Sequence, residues 1–366
     1  MRDAHNDMLF HVAVVRTGGL GLRAPVYTGS DLSIQYHVLG TAARDNALLA
    51  LVCTGQAVHR LLFDCGDGVL AALPFAEIQR IDHLFFSHLH MDHIGGFDAF
   101  FRCTYNRTGR PNIIWGPPQT GRILHHRFQG FLWNLHGDTD VTWRVADVYP
   151  AHIAWTRYAL HDAFARARPD GEQPCDGVLL RTPDFTVQAV HLAHRTPVLG
   201  FIVRETPRRH IDVARLPALG LRPGPWLQAL KVAPPAQTHL HIDGVPYPLD
   251  ALRAALLHET PGDAIAYLTD FLLDDDALAR LPPLLHGVRT LVCESAYRHA
   301  DCALARRHHH LTAPQAATLA ARAGVHQLRL IHLSERYPPA EWPALLAEAR
   351  AIFPATAFPG GWEMPG

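Results

Sequence analysis

Phe85-Phe86-Ser87-His88-Leu89-His90-Met91-Asp92-His93-Ile94-Gly95-Gly96 decides how the rest of this chain is read. The apolar run from His83 to Phe86 has the composition of a short buried strand, and the glycine pair marks a turn. Three histidines and an aspartate lie between. Residues two apart on an extended segment face the same way, so His88 and His90 are spaced to hold one cation. The tighter turn after them aims Asp92 and His93 at a neighbouring position. Imidazole and carboxylate without thiolate suit zinc, or manganese where carboxylates weigh more. The plain alternative is a solvated loop in a chain that holds 26 histidines. Strand, alternation and an Asp-His pair ahead of Gly-Gly together favour a metal loop.

The surrounding composition narrows the class. A chain of 366 residues, 48% hydrophobic and 18% charged, has enough apolar material for a large core. Its formal net charge of −1 gives no global attraction to nucleic acid or membrane, so any RNA contact must come from a local basic patch. Lys231 is the only lysine, and arginine carries the remaining positive charge. The six cysteines (Cys53, Cys65, Cys103, Cys175, Cys293 and Cys302) form no CxxC pair, which points to a reducing, cytoplasmic setting. The first seven residues are too polar for a signal peptide, and no run approaches the roughly 20 apolar residues of a membrane span.

Outward from the metal loop, the pattern predicts two similar halves. Residues 1–30 are expected to be an N-terminal extension packed on a main domain of 31–366. Ser33–Leu39, Ala47–Val52 and Val58–Phe63 predict a strand meander. A helix bearing Leu70, Leu73 and Phe75 follows, then a helix start at 97–102, a strand at 113–116 and a helix over 121–136. The stretch 137–174 is mixed, with a loop expected at Arg168-Pro169-Asp170-Gly171. Strands are expected at 177–180, 185–190 and 198–203. From 206 to 262, proline and glycine mix with arginine in a pattern unlike a core segment, so an arm off the domain is expected. The last third alternates strands at 264–268, 290–293 and 327–331 with helices at 274–281, 312–323 and 339–350. Two sheets packed face to face with helices outside follow from this order.

Several strand ends carry further ligand types. His194 lies just beyond the strand ending near Val190 and is the third candidate for the first metal; His191 lies within that strand. Asp270 follows Leu268-Thr269 and has two oxygens with which to bridge two cations, or it simply caps the next helix. His332 ends the strand at 327–331 and offers the last ligand of the second metal. Asp274, Asp275 and Asp276 read as a solvated helix start. Glu294 ends another strand, and Arg306-Arg307-His308-His309-His310 precedes a helix. A glutamate paired with a histidine there would orient an imidazole as general acid; the alternative is a basic solvated loop.

Taken in order, these stations resemble the metallo-β-lactamase superfamily, and within it the tRNase Z (ribonuclease Z) branch. Phe63-Asp64-Cys65-Gly66-Asp67-Gly68 is similar to the family's FDCGEG segment, and His88 to His93 matches its HxHxDH motif. His194-Arg195-Thr196-Pro197-Val198-Leu199-Gly200-Phe201 resembles the HxxPxxGY stretch, and Asp270 occupies the bridging-aspartate station. Glu294-Ser295-Ala296, His310-Leu311-Thr312 and His332-Leu333-Ser334-Glu335-Arg336-Tyr337 resemble more specific tRNase Z elements. Leu219-Gly220-Leu221-Arg222-Pro223-Gly224-Pro225-Trp226 is similar to the segment by which those enzymes carry a tRNA-gripping arm. The family's Gly-Leu-Pro-Gly-Leu after the first motif is Gly95-Gly96-Phe97-Asp98-Ala99-Phe100 here, and Leu311 replaces the serine of His-Ser-Thr.

The resemblance implies an α+β fold, the four-layer αββα sandwich. It implies a dinuclear zinc phosphodiesterase, with manganese as the alternative metal, that processes the 3′ end of precursor tRNA through a hydroxide shared by the metals. His88, His90 and His194 would hold one ion, Asp92, His93 and His332 the second, with Asp270 between them. Asp92 would orient the nucleophile, and His310, held by Glu294, would protonate the leaving 3′-oxygen. Arg222, Gly224 and Lys231 are the expected substrate contacts on the arm, and a homodimer is implied. The altered segment after His93 keeps open a hydrolase of a small phosphodiester, sulfate ester, lactone or thioester. A di-iron flavoprotein is disfavoured because a relative of that kind has a carboxylate where this chain has His90. A metal-stabilised binding protein would leave Glu294 and His310 without a purpose.

Overall fold

The computed structural model describes residues 34–54, 57–134, 139–232 and 237–362. The expected extension over 1–30 lies outside them. An antiparallel meander opens the fold: β1 (Ile34–Gly40), β2 (Asn46–Cys53) and β3 (Val58–Phe63). A one-turn helix α1 (Phe75–Ile78) leads to β4 (His83–Phe85), which runs parallel to β3. Next come α2 (Met91–Ile94), α3 (Phe97–Thr104), β5 (Asn112–Gly116) and α4 (Thr120–Phe128). β6 (Thr142–Val148), β7 (His152–Ala159) and β8 (Arg168–Pro174) complete an eight-stranded sheet whose spatial order equals its chain order.

Why the layers form is visible in β2. All eight of its residues are buried, yet Leu48, Ala50 and Val52 join one core while Ala47, Leu49 and Leu51 join another. Side chains alternate faces along a strand, so a continuous apolar run means a sheet covered on both sides. Three expectations change here. Pro74 confines the helix expected around 70–75 to the single turn α1, because proline inside a helix removes a hydrogen bond and clashes with the preceding turn. The helix expected to reach 136 ends at Phe128, with Gly130 two residues on. Arg168-Pro169-Asp170-Gly171 begins the edge strand β8 instead of a loop, and an edge strand tolerates proline because one side needs no donors.

The second sheet starts with antiparallel β9 (Val178–Arg181), β10 (Phe185–Ala193) and β11 (Pro197–Glu205). The chain then leaves through β12 (Arg208–Ile211), builds α5 (Trp226–Val232), a hairpin of β13 (His239–Ile242) and β14 (Val245–Pro248), and α6 (Leu249–Leu256). It returns through β15 (Leu257–Thr260), which pairs with β12 as a two-stranded stalk. Leu216, Leu230, Leu240, Leu249, Leu252 and Leu256 give this lobe a small core of its own. Spacings of three and four along α6 line up its leucines on one face, while prolines and glycines fall mainly in the connections.

β16 (Ala264–Leu268), α7 (Asp275–Leu285), β17 (Thr290–Glu294), α8 (Cys302–His308), α9 (Ala313–Ala323), β18 (Gln327–Ile331), α10 (Trp342–Arg350) and β19 (Thr356–Ala357) finish the chain. The sheet order is β19-β18-β17-β16-β11-β10-β9, parallel from β19 to β16. Between the sheets, the Phe63 ring lies 5.2 Å from Phe201 and 6.2 Å from Tyr267, and Phe85 lies 5.5 Å from Phe201, centroid to centroid. α3 and α4 cover the outer face of the first sheet through Phe97, Phe101 and Phe128 on Trp143. Leu281 of α7, Leu319 of α9 and Leu345 of α10 are buried in the core of the second sheet. The four layers are helix, sheet, sheet, helix. β3, β4, β16, β17 and β18 all bring their carboxyl ends to one edge, the usual place for a site in such sheets.

Half-buried His83 is expected to make the fold acid-sensitive. Burial first, then His59 and Arg107, lower the His83 pKa to about 4 against the opposing pull of Asp82, and the Trp115 indole N–H donates to His83 Nδ1 at 3.2 Å. The folded state therefore binds fewer protons than the unfolded chain between about pH 4 and pH 6.5. Stability is full above that window and falls by up to about 3 kcal/mol as pH drops through it. His83→Gln keeps an acceptor for Trp115 and is expected to flatten this part of the pH profile in urea-denaturation midpoints. An unchanged profile would remove His83 as the cause.

Candidate metal centre

Most of the functional side chains are set by the end of a strand, while Asp92 and His93 lie on α2 and His310 between α8 and α9. Asp64 follows β3, His88 follows the β4 run, Asp270 lies two residues past β16, Glu294 closes β17 and His332 follows β18. Asp64, Asp270 and His332 all have left-handed backbones, with φ of 62°, 49° and 55°. Such conformations are uncommon outside glycine, and three at one edge of a fold mark a site whose geometry is held by its surroundings. Glycines allow the loops to close. A Cβ on Gly66 would lie 2.2 Å from the Asp92 carbonyl oxygen, and one on Gly96 would lie 2.1 Å from that of Gly66.

Two clusters result. His88, His90 and His194 offer ligand atoms that all lie within 4.8 Å of one another, and so do Asp92, His93, Asp270 and His332. His88 Nε2 is 3.6 Å from Asp270 Oδ2, His93 Nε2 is 3.5 Å from the same oxygen, and His332 Nε2 is 3.5 Å from Asp270 Oδ1. Asp270 thus faces both clusters. Burial alone would raise its pKa, but His332, His93 and His88 hold it well below the usual carboxylate range. Asp92 is also lowered against its own burial, by its hydrogen bond with His332 and by His93 close beside it. Burial first, then His93, push His88 down to about 2, so it is a neutral imidazole with a lone pair to give.

The imidazoles are aimed by partners behind them. Asp64, fully buried, accepts from Ser87 N–H at 2.6 Å, Ser87 Oγ at 2.7 Å, His93 Nδ1 at 2.8 Å and the Tyr267 hydroxyl at 2.9 Å. That bond fixes the His93 tautomer and leaves Nε2 facing the carboxylates, buried and without a hydrogen-bond partner. Ser87 Oγ lies 3.1 Å from His88 Nδ1, His194 Nδ1 donates to the His309 carbonyl at 3.0 Å, and the His332 amide donates to Asn46 Oδ1 at 3.0 Å. An oxygen-and-imidazole donor set around an orphaned Nε2 fits two divalent ions.

Glu294 belongs to a different apparatus. A third cluster joins it to Asp270, His310 and His332, but its carboxylate is already committed. Oε1 accepts from Phe271 N–H at 2.8 Å, and Oε2 accepts from His310 Nδ1 at 3.0 Å and Leu311 N–H at 3.2 Å. Burial alone would lower the His310 pKa; Glu294 outweighs it and carries the group up to about 9. The imidazole ring stacks 5.4 Å from His332. Its other nitrogen, Nε2, makes no hydrogen bond among the described residues.

Deinococcus radiodurans ribonuclease Z is 50% identical to this chain over 325 residues, covering 89% of the chain and 97% of that protein. The chain belongs to the ribonuclease Z family. The Bradyrhizobium ribonuclease Z is 29% identical over 345 residues, covering 92% and 97% of the two chains. The metallo-β-lactamase fold protein YhfI from Bacillus subtilis superposes with a TM-score of 0.53 at 16% identity, over 89% of this chain and 97% of its own, and shares the fold. A family model described as Anti-Pycsar protein Apyc1 matches residues 39–161, most of the first sheet and the loop from His88 to His93.

Within this ribonuclease Z-family chain, all seven expected ligand candidates and the Glu294–His310 pair come together. Arg222, Gly224 and Lys231 lie apart from them, on the lobe carried by β12 and β15. The Arg222 carbonyl accepts from the Trp226 indole there at 3.1 Å. Sequence reasoning missed Asp64, Ser87, Tyr267 and Asn46 as supports. Asp64 carried a signal, an acid straight after an apolar strand; Tyr267 and Asn46 carried none, because their partners are remote in sequence.

Proposed function

We propose that this chain is a dinuclear metal-dependent phosphodiesterase that cleaves precursor tRNA endonucleolytically at its 3′ side. The observation that carries this reading is the Glu294–His310 pair set against the ligand clusters, a proton donor beside a site for phosphate. The names of the relatives supply the RNA. His88, His90 and His194 would hold one ion and Asp92, His93 and His332 the other, with Asp270 able to serve both. When bound, the ions would supply charge neutralisation at the scissile phosphate and acidify a water. Asp92, partly exposed, orients that water and takes its proton. His310 gives its Nε2 proton to the departing 3′-oxygen, so the upstream product ends in a 3′-hydroxyl. Arg222, Gly224 and Lys231 place the lobe as an RNA grip through phosphate contacts. Zinc as the metal, a homodimer and a cytoplasmic setting belong to the same reading. No described helix is long and apolar enough to cross a membrane.

A second reading rests on the segment after His93, where Phe97 starts α3 directly in place of the family's glycine-proline turn. It makes the substrate a small phosphodiester, sulfate ester, lactone or thioester. Purified protein with its metal content measured should be offered precursor tRNA and a small chromogenic phosphodiester side by side. Two metal equivalents and cleavage of the precursor to a 3′-hydroxyl end are expected. Full activity on the small ester with an intact precursor would transfer the assignment to the second reading.

A further inference from the structure

The basic run before His310 contains cations that the metal centre does not use. Many described arginines are partnered by carboxylates, such as Arg44 by Glu335, Arg289 by Asp263 and Arg298 by Glu341 and Glu348. Arg195 and Arg307 are exposed, and among the described residues neither makes an ion pair. They come from different segments that are tied together beside the site. Arg195 NH2 donates to the Arg307 carbonyl at 2.8 Å, and its neighbour His194 donates through Nδ1 to the carbonyl of His309, two residues past Arg307, at 3.0 Å. The inner wall of this rim is His194 and His310, whose rings lie 5.3 Å apart. The local field is positive: after burial, it is Arg195, Arg307, His310 and Arg336 that lower the pKa of exposed His308 between them.

A bland account exists. Cations are favoured near a helix carboxyl end, and Arg195 caps a carbonyl in the last turn of α8. It uses one donor of Arg195 and leaves the Arg307 guanidinium without an acceptor among the described residues. We propose that Arg195 and Arg307 bind backbone phosphates of the RNA strand whose 3′-oxygen departs. This rests on the tRNA-cleaving reading, which puts the leaving oxygen at His310 and so runs that strand across the adjoining rim. A guanidinium fork matches two phosphate oxygens, which an ammonium does not.

The test is binding of a fluorescent single-stranded RNA oligonucleotide with a free 3′-hydroxyl, a mimic of the product, followed by anisotropy across a salt series. Arg195→Gln and Arg307→Gln are each expected to reduce the slope of log affinity against log salt by about 0.7. The double variant is expected to bind about tenfold more weakly. On precursor tRNA the loss should appear in KM. Arg322→Gln, at the far end of α9, is the control and should keep the wild-type slope. Thermal midpoints separate the bland account: a lowered midpoint with an unchanged RNA slope in the rim variants overturns the proposal. So does an Arg322 variant that loses as much as they do, or wild-type protein that does not bind the oligonucleotide. Wild-type cleavage of precursor with rim-independent binding removes the rim alone. Rim-dependent binding without precursor cleavage removes the tRNA reading and leaves the rim as an RNA site.

Discussion

His310→Ala is expected to lower the turnover of RNA by about 10²- to 10⁴-fold, the usual contribution of a positioned general acid, while two metal equivalents stay bound. The imidazole is held for this role by a carboxylate that is itself immobilised. Glu294 is fully buried and accepts from two backbone amides as well as from His310 Nδ1. The pair keeps His310 cationic at neutral pH, with its pKa carried up to about 9, and Nδ1 is occupied, so Nε2 is the proton that can move. An acid must be protonated to act, so activity falls as pH rises through its pKa. Glu294→Gln removes the counter-charge and should move that basic limb to lower pH. Metal analysis beside the kinetics decides the role. Loss of one metal equivalent with turnover intact would make His310 a ligand.

Asp64→Asn is expected to weaken the metal position of Asp92, His93 and His332 by about 10- to 100-fold, although Asp64 is no ligand. Four donors converge on this buried carboxylate. An amide keeps the side chain's size and tolerates the left-handed backbone, but it turns one acceptor oxygen into a donor facing other donors. His93 then loses the bond that selects its tautomer. Removing one partner of a buried charged pair costs roughly 3–5 kcal/mol, so the variant also reads lower in denaturation. Tyr267→Phe separates the two effects, because it removes one donor at about 1 kcal/mol and leaves the His93 bond in place. Tighter or equal metal binding in Asp64→Asn, measured by competition with a chelator, would refute the orienting role.

Much of the fold was legible because its signals are local. β2 and β16 declare themselves as continuous apolar runs, β17 as one that closes on Glu294 and β18 by its alternation, and ligand candidates sit just past β16 and β18. The misjudged segments are those where a neighbour outweighs local propensity. β8 is polar and proline-bearing, yet becomes a strand because β7 offers it an edge. The stretch 206–262 is expected as an arm off the domain, and the small core it carries is not legible because its leucines meet only after the β12–β15 stalk closes.

By itself the sequence determined the chemistry available: His88, His90, Asp92 and His93 at a strand end, His194, Asp270, Glu294 and His332 each near another, and His310 ahead of a helix. Spacing along one segment carries that much, since an extended backbone dictates which neighbours face together. Tertiary structure alone decided how the residues are used. Glu294 supports His310 because Phe271 and Leu311 take up its other lone pairs, and Asp64 orients His93 across 29 residues while Tyr267 reaches it across 203. Hydrogen bonds and burial fix tautomers and charge states, and both depend on groups that only tertiary packing brings together, across the two sheets in the case of Tyr267 and Asp64.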